Sequence, residues 1–520
     1  MADLSHYNQR NLFASDVHLS HLLEEDDLCF LVKEAVGNIK DSDFEEMYKE
    51  GGRPPVSPRL LALVLLMQFI EGLSDRAAVR NLKFRLDWKI AFGLPVEFSG
   101  VHSSTLTYFR ERLVAHSKVS FVFDQILEHL VANGLVKPLG KQRIDSTHVI
   151  GFVQELSRIE LLTETLRLFC LDIGRVSGAF DESTFSYYES YVREISFYRS
   201  TEAEKKAAIK KAGLAMKTFI SLFESKEQFS DVIALKSFKT LKTVFHQNFD
   251  DLGEEPELIK VATGKGHVCS PHEPEAEYAN KGKKGWLGYK AQVTETVEAG
   301  NQNFVTHIEM TPATDFDGDA VLSITEELEQ KGCKPSTLFG DTHYNTSKNI
   351  DLMAEANIAL EGEVMPISNE KKAEDQDFTI DLNFKKVTCP MGIDSKYFNE
   401  KSNGLICASF PKSACQDCLR RDICKPQPRG KIYTQRPENK TLSERRRKLK
   451  DPEYRKELHQ RNGIEGTISG LVRGQKLRRC RYRGINKANL QAKMSGAAAN
   501  VVRLHTQRLR EIAQKERMCA

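Results

Sequence analysis

The first part of the chain carries apolar residues at helical spacing. Residues 1–50 are acidic with an amphipathic helical period, and a helix start follows in which Ser57 is the N-cap and Pro58 the first helical residue. The helix that continues through about Ile70 is apolar nearly all round, so we expect it to be buried. Ser103-Ser104 is the predicted cap of a later helix that displays Thr, Tyr and Arg. Short helices of this kind are compatible with a helix-turn-helix DNA reader and equally with a plain helical bundle.

Alternating apolar and polar residues predict strands in the middle of the chain. One such run, 142–150, has Asp145 in its interior, and a second run of the same shape, 336–344, contains Asp341. From residue 283 onward the pattern changes from helical to strand-like and predicts a hairpin. Strands that alternate with helices predict a mixed α/β sheet with carboxylates at strand ends.

Helical periods return on either side of a loop-rich stretch. Residues 153–246 are helical in period and rich in Lys and Glu, which indicates a helical layer inserted between two parts of the sheet. Residues 366–440 are loop-rich, and the sequence at 441–444 has the form of a capping box. Asp451-Pro452 is a second helix start, and residues 486–517 are again helical.

These patterns predict an α/β protein of several parts. They are an N-terminal helical DNA-binding domain at 1–135, a mixed-sheet core at 136–152 and 261–365, a helical insertion at 153–260, a Cys-rich insertion at 366–440, and a basic helical part at 441–520 that completes the core.

Composition and charge narrow the class of protein. The 520 residues are too many for one ordinary core, and no run of eighteen apolar residues exists, so we expect no membrane partner. The start has no secretion signal, which predicts a cytosolic protein in which the eleven cysteines form no disulfide framework. The net charge of +3 is unevenly distributed along the chain. Residues 401–520 contain 30 Lys and Arg and 10 Asp and Glu, which gives a net charge of +20. The first 400 residues therefore carry a net charge of −17. This basic end indicates a polyanion-binding surface, or simply a solvated basic face.

Three carboxylates on distant elements suggest a site for divalent cations. A lone Asp in a buried strand is costly unless a partner or a metal ion compensates its charge, and Asp145 and Asp341 both sit in strand-like runs. A third carboxylate, Glu465, lies in the most basic part of the chain. Hard oxygen ligands that converge from rigid elements can hold two Mg²⁺ ions for an in-line phosphoryl displacement.

Several motifs of the chain resemble those of a known protein family. Four motifs, together with the N-terminal segment from residue 53 to residue 113, resemble the DDE transposases of bacterial insertion sequences, specifically the IS1182-like group near the IS4 and IS5 families. The motifs are Arg143-Ile-Asp145-Ser-Thr, Gly288-Tyr289-Lys290, Gly340-Asp341-Thr-His-Tyr344 and Arg461-Asn-Gly-Ile-Glu465. The likeness covers most of the chain, with residues 153–260 the least diagnostic.

The resemblance implies an RNase H-like catalytic core and a DNA transposase. Asp145, Asp341 and Glu465 would be the catalytic residues and would bind Mg²⁺ or Mn²⁺. The protein would bind terminal inverted repeats, cleave DNA at the element ends and transfer the strands to target DNA, as a homodimer in a paired-end complex that is cytoplasmic and nucleoid-associated. Two other functions remain open, a transposase-derived DNA-binding regulator without catalysis and an RNase H-like nuclease without strand transfer.

The third acidic position has a rival. Arg461 matches the Arg of the IS4-type signature, but the Tyr position of that signature is Leu458 here and the Lys position is Val472, next to Arg473. Glu457 is the competing carboxylate on what the sequence predicts to be the same helix. Two side chains eight residues apart on a helix point in directions about 80° apart, so Glu457 and Glu465 are not expected to bind the same pair of metal ions. Of the two, we favour Glu465.

Other residues are candidate DNA contacts. The predicted DNA-binding set is Arg461, Arg473, Arg478, Arg479, Arg481, Tyr482, Arg483 and Lys290. Tyr482 among arginines offers base stacking with phosphate contacts, and a solvated basic loop is the plain alternative. Lys290 would contact the DNA backbone unless it is a solvated strand lysine. His148 and His343, close to the two Asp residues, would touch phosphate or serve structural hydrogen bonds.

The cysteines between residues 389 and 424 predict a structural zinc site. Cys415 and Cys418 are spaced to clasp one side of a tetrahedral Zn²⁺, and Cys424 and Cys389 would complete the site. Cys389 is preferred because it lies in a Cys-Pro-x-Gly turn, and Cys407 is the alternative fourth ligand. Free thiols are the competing interpretation. Such a site would stabilise an insertion that has little apolar core.

Overall fold

The structure is a computed structural model with a mixed β-sheet at its centre. It describes residues 23–24, 26–48, 56–176, 200–225, 229–251, 253, 255–260, 264–282, 284–298, 302–365, 378–401, 405–424, 426–435 and 437–519. Residues 49–55, residues 177–199 of the predicted helical layer and residues 366–377 of the Cys-rich part lie outside these ranges. Within the described residues, no helix is long and apolar enough to cross a membrane.

The described residues of the N-terminal part form six α-helices and a 3₁₀ helix at Asp41–Met47. The α-helices are α1 (Leu28–Ala35), α2 (Pro58–Ile70), α3 (Asp75–Phe84), α4 (Leu86–Phe92), α5 (Ser103–Ala115) and α6 (Phe121–Ala132). The predicted start of α2 is confirmed, because Ser57 Oγ accepts a hydrogen bond from the Leu60 amide at 3.2 Å. The predicted Ser103-Ser104 cap is wrong. His102 caps α5 instead, and its Nδ1 accepts from the Ser104 amide. A histidine ring nitrogen can take the place of the usual hydroxyl, and the sequence pattern did not indicate this.

The central sheet confirms the mixed α/β prediction. Its strands are β1 (Lys141–Ile150), β4 (Glu277–Lys281), β5 (Lys284–Thr296), β6 (Val305–Pro312), β7 (Thr337–Phe339) and β8 (Ala359–Glu361). Antiparallel β5 lies on one side of β1, with β4 and β6 following each other along the far edge of β5. Parallel β7 and β8 lie on the other side of β1. Helices α11 (Val321–Gln330) and α12 (Ser347–Glu355) connect these last strands.

The strands that carry the two Asp residues differ in detail from the predicted ones. The run predicted at 336–344 pairs only over β7, so Asp341 lies in the turn after the strand. Asp145 lies in the middle of β1 rather than at its end. The reason is that β1 continues past β7, because it pairs with β5 as far as Ile150.

The helical insertion has its own hydrophobic core. Its elements are α7 (Arg158–Arg175), α8 (Glu202–Glu224), α9 (Ser230–Ala234) and α10 (Lys236–Asn248), followed by β2 (Phe249–Asp250) and β3 (Glu257–Leu258). Phe169, Phe219, Phe223 and Phe238 are buried at its centre, and the rings of Phe169 and Phe223 meet edge to face at 5.7 Å. This cluster is separate from the core that the N-terminal helices share with the sheet.

The Cys-rich segment forms a third, small core. Its strands are β9 (Thr379–Asp381), β10 (Lys386–Thr388), β11 (Tyr397–Glu400), β12 (Ile406–Ser409) and β13 (Ile432–Gln435), with the short helices α13 (Lys412–Gln416) and α14 (Arg421–Cys424). Phe378, Phe410 and Tyr433 are buried at its centre, and the rings of Phe378 and Tyr433 stack at 4.7 Å. The segment is therefore more regular than the predicted loop.

Four helices complete the chain. They are α15 (Pro437–Lys448), α16 (Pro452–Leu458), α17 (Gly463–Arg473) and α18 (Ile485–Cys519), with a 3₁₀ turn at His459–Asn462. The predicted Asp451 cap of α16 is confirmed. The predicted capping box at 441–444 is wrong because α15 begins earlier, and the Thr441 hydroxyl donates to Asp351 instead, at 2.9 Å. Glu457 and Glu465 lie on different helices, α16 and α17, and not on one helix as predicted.

Helix α18 joins the N-terminal helices to the sheet. The Asn500 side chain exchanges two hydrogen bonds of 2.8 Å with the backbone of Val305 on β6. At Gly496 an added Cβ would lie 2.9 Å from Ile308 of the sheet and 3.0 Å from Phe123 of α6. The absence of a side chain there lets α18 pack between the two layers.

We predict that Phe223→Ala lowers the free energy of unfolding of the helical insertion by about 3–5 kcal/mol, because it leaves a cavity in a core of aromatic rings. Chemical denaturation followed by hydrogen exchange of α7 and α10 measures this. Exchange in β1 should change little, because the insertion core is separate from the main core. Equal loosening of β1 and α10 would contradict this separation.

Candidate active site

The parallel register of β1 and β7 brings Asp145 and Asp341 together. The paired residues run from Lys141 beside Thr337 to Arg143 beside Phe339, so Asp145 and Asp341 each lie two residues beyond the last pair. The side chain of Asp145 is only 16% exposed. Burial raises the pKa of Asp145, Arg461 acts against this, and the negative charge of Asp341 raises it further. A cation between the two carboxylates would relieve this repulsion.

Asp341 is fixed by the turn that follows β7. Its Oδ1 accepts a hydrogen bond of 2.8 Å from the amide of His343, while the amides of Tyr344 and Asn345 bond to the Asp341 carbonyl. These contacts fix the backbone of the turn that carries Asp341.

Arg461 and Glu465 approach the same place from the C-terminal helices. The Nη2 atom of Arg461 donates to Oδ2 of Asp145 at 2.8 Å. The 3₁₀ turn continues into α17 with helical backbone, so Glu465 follows one turn after Arg461 and on the same side of the helix. Glu465 is exposed at the start of α17. The third predicted carboxylate thus lies one helical turn from the arginine that contacts Asp145. Among the described residues, the ligand atoms of Asp145, Asp341 and Glu465 do not all lie within 4.8 Å of one another.

The rival carboxylate lies elsewhere. Glu457 forms an ion pair with Lys141, with 2.8 Å between Oε1 and Nζ. Lys141 precedes Asp145 by four strand residues, which corresponds to about 13 Å along β1. Glu457 is therefore paired with a lysine at the start of β1.

A buried ionic network fixes α17 against the sheet, and sequence reasoning missed it. Glu295 on β5 is fully buried, and its Oε1 accepts from Nε and Nη2 of Arg143 at 2.7 Å. Its Oε2 accepts from Nη1 of Arg503 at 3.0 Å and from the Thr467 hydroxyl of α17. Arg143 also donates to the carbonyl of Gln460 at 2.7 Å. The network thus binds the chain at Gln460, just before Arg461, and at Thr467, just after Glu465.

A second polar group lies beneath the two Asp residues. Asp317 accepts from Gln292 at 3.0 Å and from Lys290 at 3.1 Å, and Lys290 also donates to the Asp315 carbonyl at 2.6 Å. The Tyr344 hydroxyl donates to Gln292 at 2.5 Å, and burial raises the pKa of Tyr344 well above its ordinary value. Lys290, predicted to contact DNA, is held inside this group. Asp317 was not singled out because its partners are far away in sequence.

Some side chains of the predicted DNA-binding set contact other parts of the protein, and others are exposed. Arg478 donates to the His148 carbonyl at 2.6 Å, and Arg481 donates to the Leu73 carbonyl at 3.1 Å. The ring of Tyr482, predicted to stack on a base, carries the Arg110 guanidinium at 4.7 Å. These three side chains have partners within the protein. The exposed members of the set are Arg473, Arg479 and Arg483.

The two histidines have different surroundings. The ring of His148 lies 5.2 Å from the ring of Trp286, and burial lowers the pKa of His148. His343 is 52% exposed, and its Nδ1 lies 3.8 Å from Oδ2 of Asp317. His343 is therefore largely exposed, whereas the ring of His148 on β1 packs near Trp286.

One other cluster has metal-ligating side chains. In the described ranges, His307, Glu309 and Glu327 are the group whose ligand atoms all lie within 4.8 Å of one another. Glu327 is already bound by Lys331 and by Lys493, the latter at 3.0 Å, and the two ring nitrogens of His307 face different carboxylates. Two ammonium groups on one ligand oppose a bound cation, so this cluster is better suited to an internal ion-pair network.

Four of the cysteines surround one apolar pocket. Cys389, Cys415, Cys418 and Cys424 line it together with Phe378, Phe410 and neighbouring apolar side chains. Cys407 lies on β12 and is not part of the lining. Burial raises the pKa of the Cys424 thiol, and the nearby Cys418 and Cys389 raise it further. Across the parts of the chain that are described, no three of these sulfurs come within 4.8 Å of one another.

Two family models match the chain. One, described as "Transposase domain (DUF772)", matches residues 17–112, and the other, described as "Transposase DDE domain", matches residues 388–505. The second match contains Glu465 and the four cysteines, and neither match contains Asp145 or Asp341. No curated protein and no solved structure shows a significant match.

We predict that Gly463→Ala disrupts the network at α17. An added Cβ at Gly463 would lie 2.1 Å from Nη1 of Arg143, and this guanidinium is pinned by Glu295 and Gln460. Displacing it leaves a buried carboxylate poorly compensated, so the free energy of unfolding should fall by about 3 kcal/mol.

Gly466→Ala on the same helix is the matched control, because nothing lies within 4 Å of its added Cβ. That variant should be neutral or stabilised by up to about 1 kcal/mol. Chemical denaturation of both variants gives the comparison. Equal stability of the two would show that Arg143 is not held as described.

Proposed function

The chain belongs to the DDE transposases, in the IS1182-like group, as its two transposase matches confirm, and from this premise we propose its reaction. The protein binds the terminal inverted repeats of an insertion sequence and cleaves DNA at the ends of the element. It then joins the freed 3′-hydroxyls to target DNA. The observation that supports this proposal is the parallel register of β1 and β7 near Asp145 and Asp341, together with the ion pair that joins Arg461, four residues before Glu465, to Asp145.

The proposed catalytic core is RNase H-like. Its support is the topology of the sheet, in which β1 has the antiparallel pair β5 and β6 on one side and the parallel strands β7 and β8 on the other. In this proposal the core comprises residues 136–152 and 261–365, completed by the helices of 441–520. The segments 153–260 and 366–440 are insertions, and each has a hydrophobic core of its own.

Asp145, Asp341 and Glu465 would hold Mg²⁺ or Mn²⁺. Their carboxylate oxygens are the hard ligands that these ions prefer, and the repulsion between Asp145 and Asp341 favours a cation. Such ions activate the attacking hydroxyl and stabilise the leaving oxygen in phosphoryl transfer. Arg461 compensates the charge of Asp145 in the free protein. Once this carboxylate has another cationic partner, the guanidinium is available for a DNA phosphate.

DNA is held on the positive side of the molecule in this proposal. Arg473, Arg479 and Arg483 are exposed along the segment that links α17 to α18. Arg481 and Tyr482 of the same segment pack against the N-terminal helices, so the segment joins the first transposase domain to the site. In this proposal the contacts of Arg478, Arg481 and Tyr482 within the protein hold the exposed arginines in position. The two ends would be cut in a paired-end homodimer, at the nucleoid in the cytoplasm.

The four-cysteine pocket is the proposed structural zinc site. A tetrahedral set of thiolates at about 2.3 Å from the ion fits the donor atoms of Cys389, Cys415, Cys418 and Cys424. The sulfurs must draw closer together than they are in the structure. The zinc ion would fix the arrangement of the short helices α13 and α14, of which α13 has no buried residue.

We predict that Asp145→Asn, Asp341→Asn and Glu465→Gln each abolish cleavage and joining of a labelled element end. Losing a ligand for the catalytic cations costs several kcal/mol of transition-state stabilisation, which corresponds to a rate loss of at least about 10³-fold. Cleaved and joined products are measured on gels with Mg²⁺ or Mn²⁺, and DNA binding is measured separately and should persist.

Glu457→Gln is the matched control for this experiment, since its partner is Lys141 and not the Asp145 site. It should retain the activity of the unmodified protein. Loss of activity in Glu457→Gln with normal activity in Glu465→Gln would reverse the assignment. Cleavage without joined products would favour a nuclease, and DNA binding without cleavage under any metal would favour a regulator.

We predict that Cys415→Ser and Cys418→Ser lose one equivalent of zinc per chain, while Cys407→Ser retains it, because Cys407 lies outside the pocket. Elemental analysis of the purified proteins measures the metal, and the fluorescence of Tyr433 and its neighbours or limited proteolysis reports the fold of the module. Zinc at the same level in all three variants would refute the assignment.

A further inference from the structure

Helix α3 of the first transposase domain presents a row of positive charges that the proposed mechanism does not use. This basic row consists of Arg76, Arg80 and Lys83, which are exposed and lie within about 60° of one another around the helix. The buried residues Ala78 and Leu82 lie on the opposite side of α3. From its first to its last residue the row advances seven positions, which corresponds to about 10 Å along the helix axis.

The basic row has no carboxylate partner in the parts of the chain that the structure describes. Asp75, the one acidic residue of α3, accepts hydrogen bonds from the buried side chains of Arg110 at 3.0 Å and Gln68 at 2.7 Å. The ammonium of Lys83 lies 5.3 Å from the ring of Phe84, which is itself exposed. The carboxylate of α3 is therefore compensated from within the domain, and the charge of the row is not.

Two further carboxylates next to α3 are also taken. Glu71, in the turn before α3, accepts from Arg85 at 2.6 Å, and Asp87 on α4 accepts from the same guanidinium at 3.0 Å. Arg85, the residue directly after α3, therefore faces acidic groups, unlike the three cations of the row. The positive charge on the exposed side of α3 is an excess that this part of the protein does not balance.

The basic row is unfavourable for the helix by itself. Like charges three or four residues apart on a helix repel each other, and Arg76 lies in the first turn, where the helix dipole favours a negative charge. On α8, by contrast, Lys205 pairs with Glu202 at 2.9 Å. Lys210 of the same helix pairs with Glu255 at 2.6 Å. A polyanion bound to α3 would supply the missing negative charge.

The row begins beside the segment that links α17 to α18. Nζ of Lys476 donates to the Gly72 carbonyl at 3.0 Å, and Arg481 donates to the Leu73 carbonyl at 3.1 Å. Both acceptors lie in the turn that leads from α2 into α3. The segment with the exposed arginines is thus bound directly before the first residue of the row.

The same segment is also bound to the strand that carries Asp145. The Ile150 amide at the end of β1 donates to the Arg478 carbonyl at 2.9 Å, and the Cys480 amide donates to the Ile150 carbonyl at 2.8 Å. Asp145 precedes Ile150 by five strand residues, which corresponds to about 17 Å along β1. Hydrogen bonds to the backbone therefore fix the start of α3 relative to the proposed active site.

Helix α5 of the same domain is less suited to bind a polyanion. Its exposed charges are one of each sign, Glu111 and Arg112, and both have partners. Glu111 pairs with Lys487 at 3.2 Å, and the Arg112 guanidinium lies over the ring of Tyr48 at 4.4 Å. The uncompensated charge of the domain is therefore on α3 and not on the helix that displays Thr, Tyr and Arg.

We propose that α3 binds the sugar–phosphate backbone of duplex DNA through Arg76, Arg80 and Lys83, next to the DNA held by the segment between α17 and α18. Guanidinium and ammonium groups bind phosphate oxygens, and such contacts fix the position of a protein on DNA without reading its sequence. Three cations along about 10 Å match a strand that carries one negative charge per 3.4 Å. The inference rests on the proposed function in one respect, that the duplex is the end of the element.

The test measures how DNA binding depends on salt in Arg76→Gln/Arg80→Gln. Binding of a labelled element-end duplex and of a duplex with scrambled sequence is measured by fluorescence anisotropy without divalent cations. The logarithm of the binding constant is plotted against the logarithm of the salt concentration. Each lost phosphate contact reduces the slope by about 0.9, so the double variant should lose about 1.8 on both duplexes. Addition of Lys83→Gln should bring the loss to about 2.7.

Lys206→Gln/Lys239→Gln is the matched control, because it removes two exposed lysines from the helical insertion, whose core is separate. Its slope should equal that of the unmodified protein. Arg76→Lys/Arg80→Lys keeps both charges and should keep the slope as well. A fall of the slope in this variant as large as that in Arg76→Gln/Arg80→Gln would overturn the inference, because the loss would then come from packing and not from charge.

Cleavage of the element end with Mg²⁺ is measured in parallel, so that the two proposals fail in different ways. An unchanged slope in Arg76→Gln/Arg80→Gln, an equal fall in the control, or no binding of either duplex by the unmodified protein overturns the inference about α3. The expected fall of the slope in a protein that does not cleave DNA supports the inference and overturns the proposed function instead.

Discussion

The buried carboxylate of Glu295 is the interaction on which the arrangement of the site depends. It lies on β5 with no exposed surface, and two guanidinium groups and one hydroxyl compensate its charge. One of these groups, Arg143, is two residues before Asp145, and another, Thr467, is two residues after Glu465. Loss of these partners would lower the free energy of unfolding, because an unpaired buried charge costs several kcal/mol. The strand with the first acidic residue and the helix with the last one are therefore locked together.

The same constraint explains why the C-terminal helices belong to the core of the sheet. Arg503 on α18 reaches Glu295, and the side chain of Asn500 on the same helix bonds to the backbone of β6. The other side of α18 packs on α2 and α6, at Gly496 closely enough that a side chain would collide with Phe123. The N-terminal helices, the sheet and α18 form one hydrophobic core.

The sequence predicts the local parts of this arrangement and fails where contacts are long-range. Asp145 and Asp341 were found because a carboxylate inside a strand-like run is unusual in itself. Glu295, by contrast, comes directly after a run that alternates cleanly, and its partners are 152, 172 and 208 residues away. Asp317 escaped notice for the same reason, because its partners Lys290 and Gln292 lie on a strand that precedes it by more than twenty residues. Helix starts that use Ser or Asp side chains were predicted correctly, whereas the His102 cap follows no common pattern.

The measurement that tests the central claim most directly is the binding of Mn²⁺ to the free protein, followed by electron paramagnetic resonance. The account predicts a bound Mn²⁺ signal in the unmodified protein that disappears when Asp145 and Asp341 are both replaced by Asn. It also predicts weaker binding in Glu295→Gln, whose buried network no longer holds the Glu465 helix in place. Binding of Mn²⁺ with unchanged affinity in the Asp145→Asn/Asp341→Asn protein would contradict the account, because these carboxylates would then not form the site.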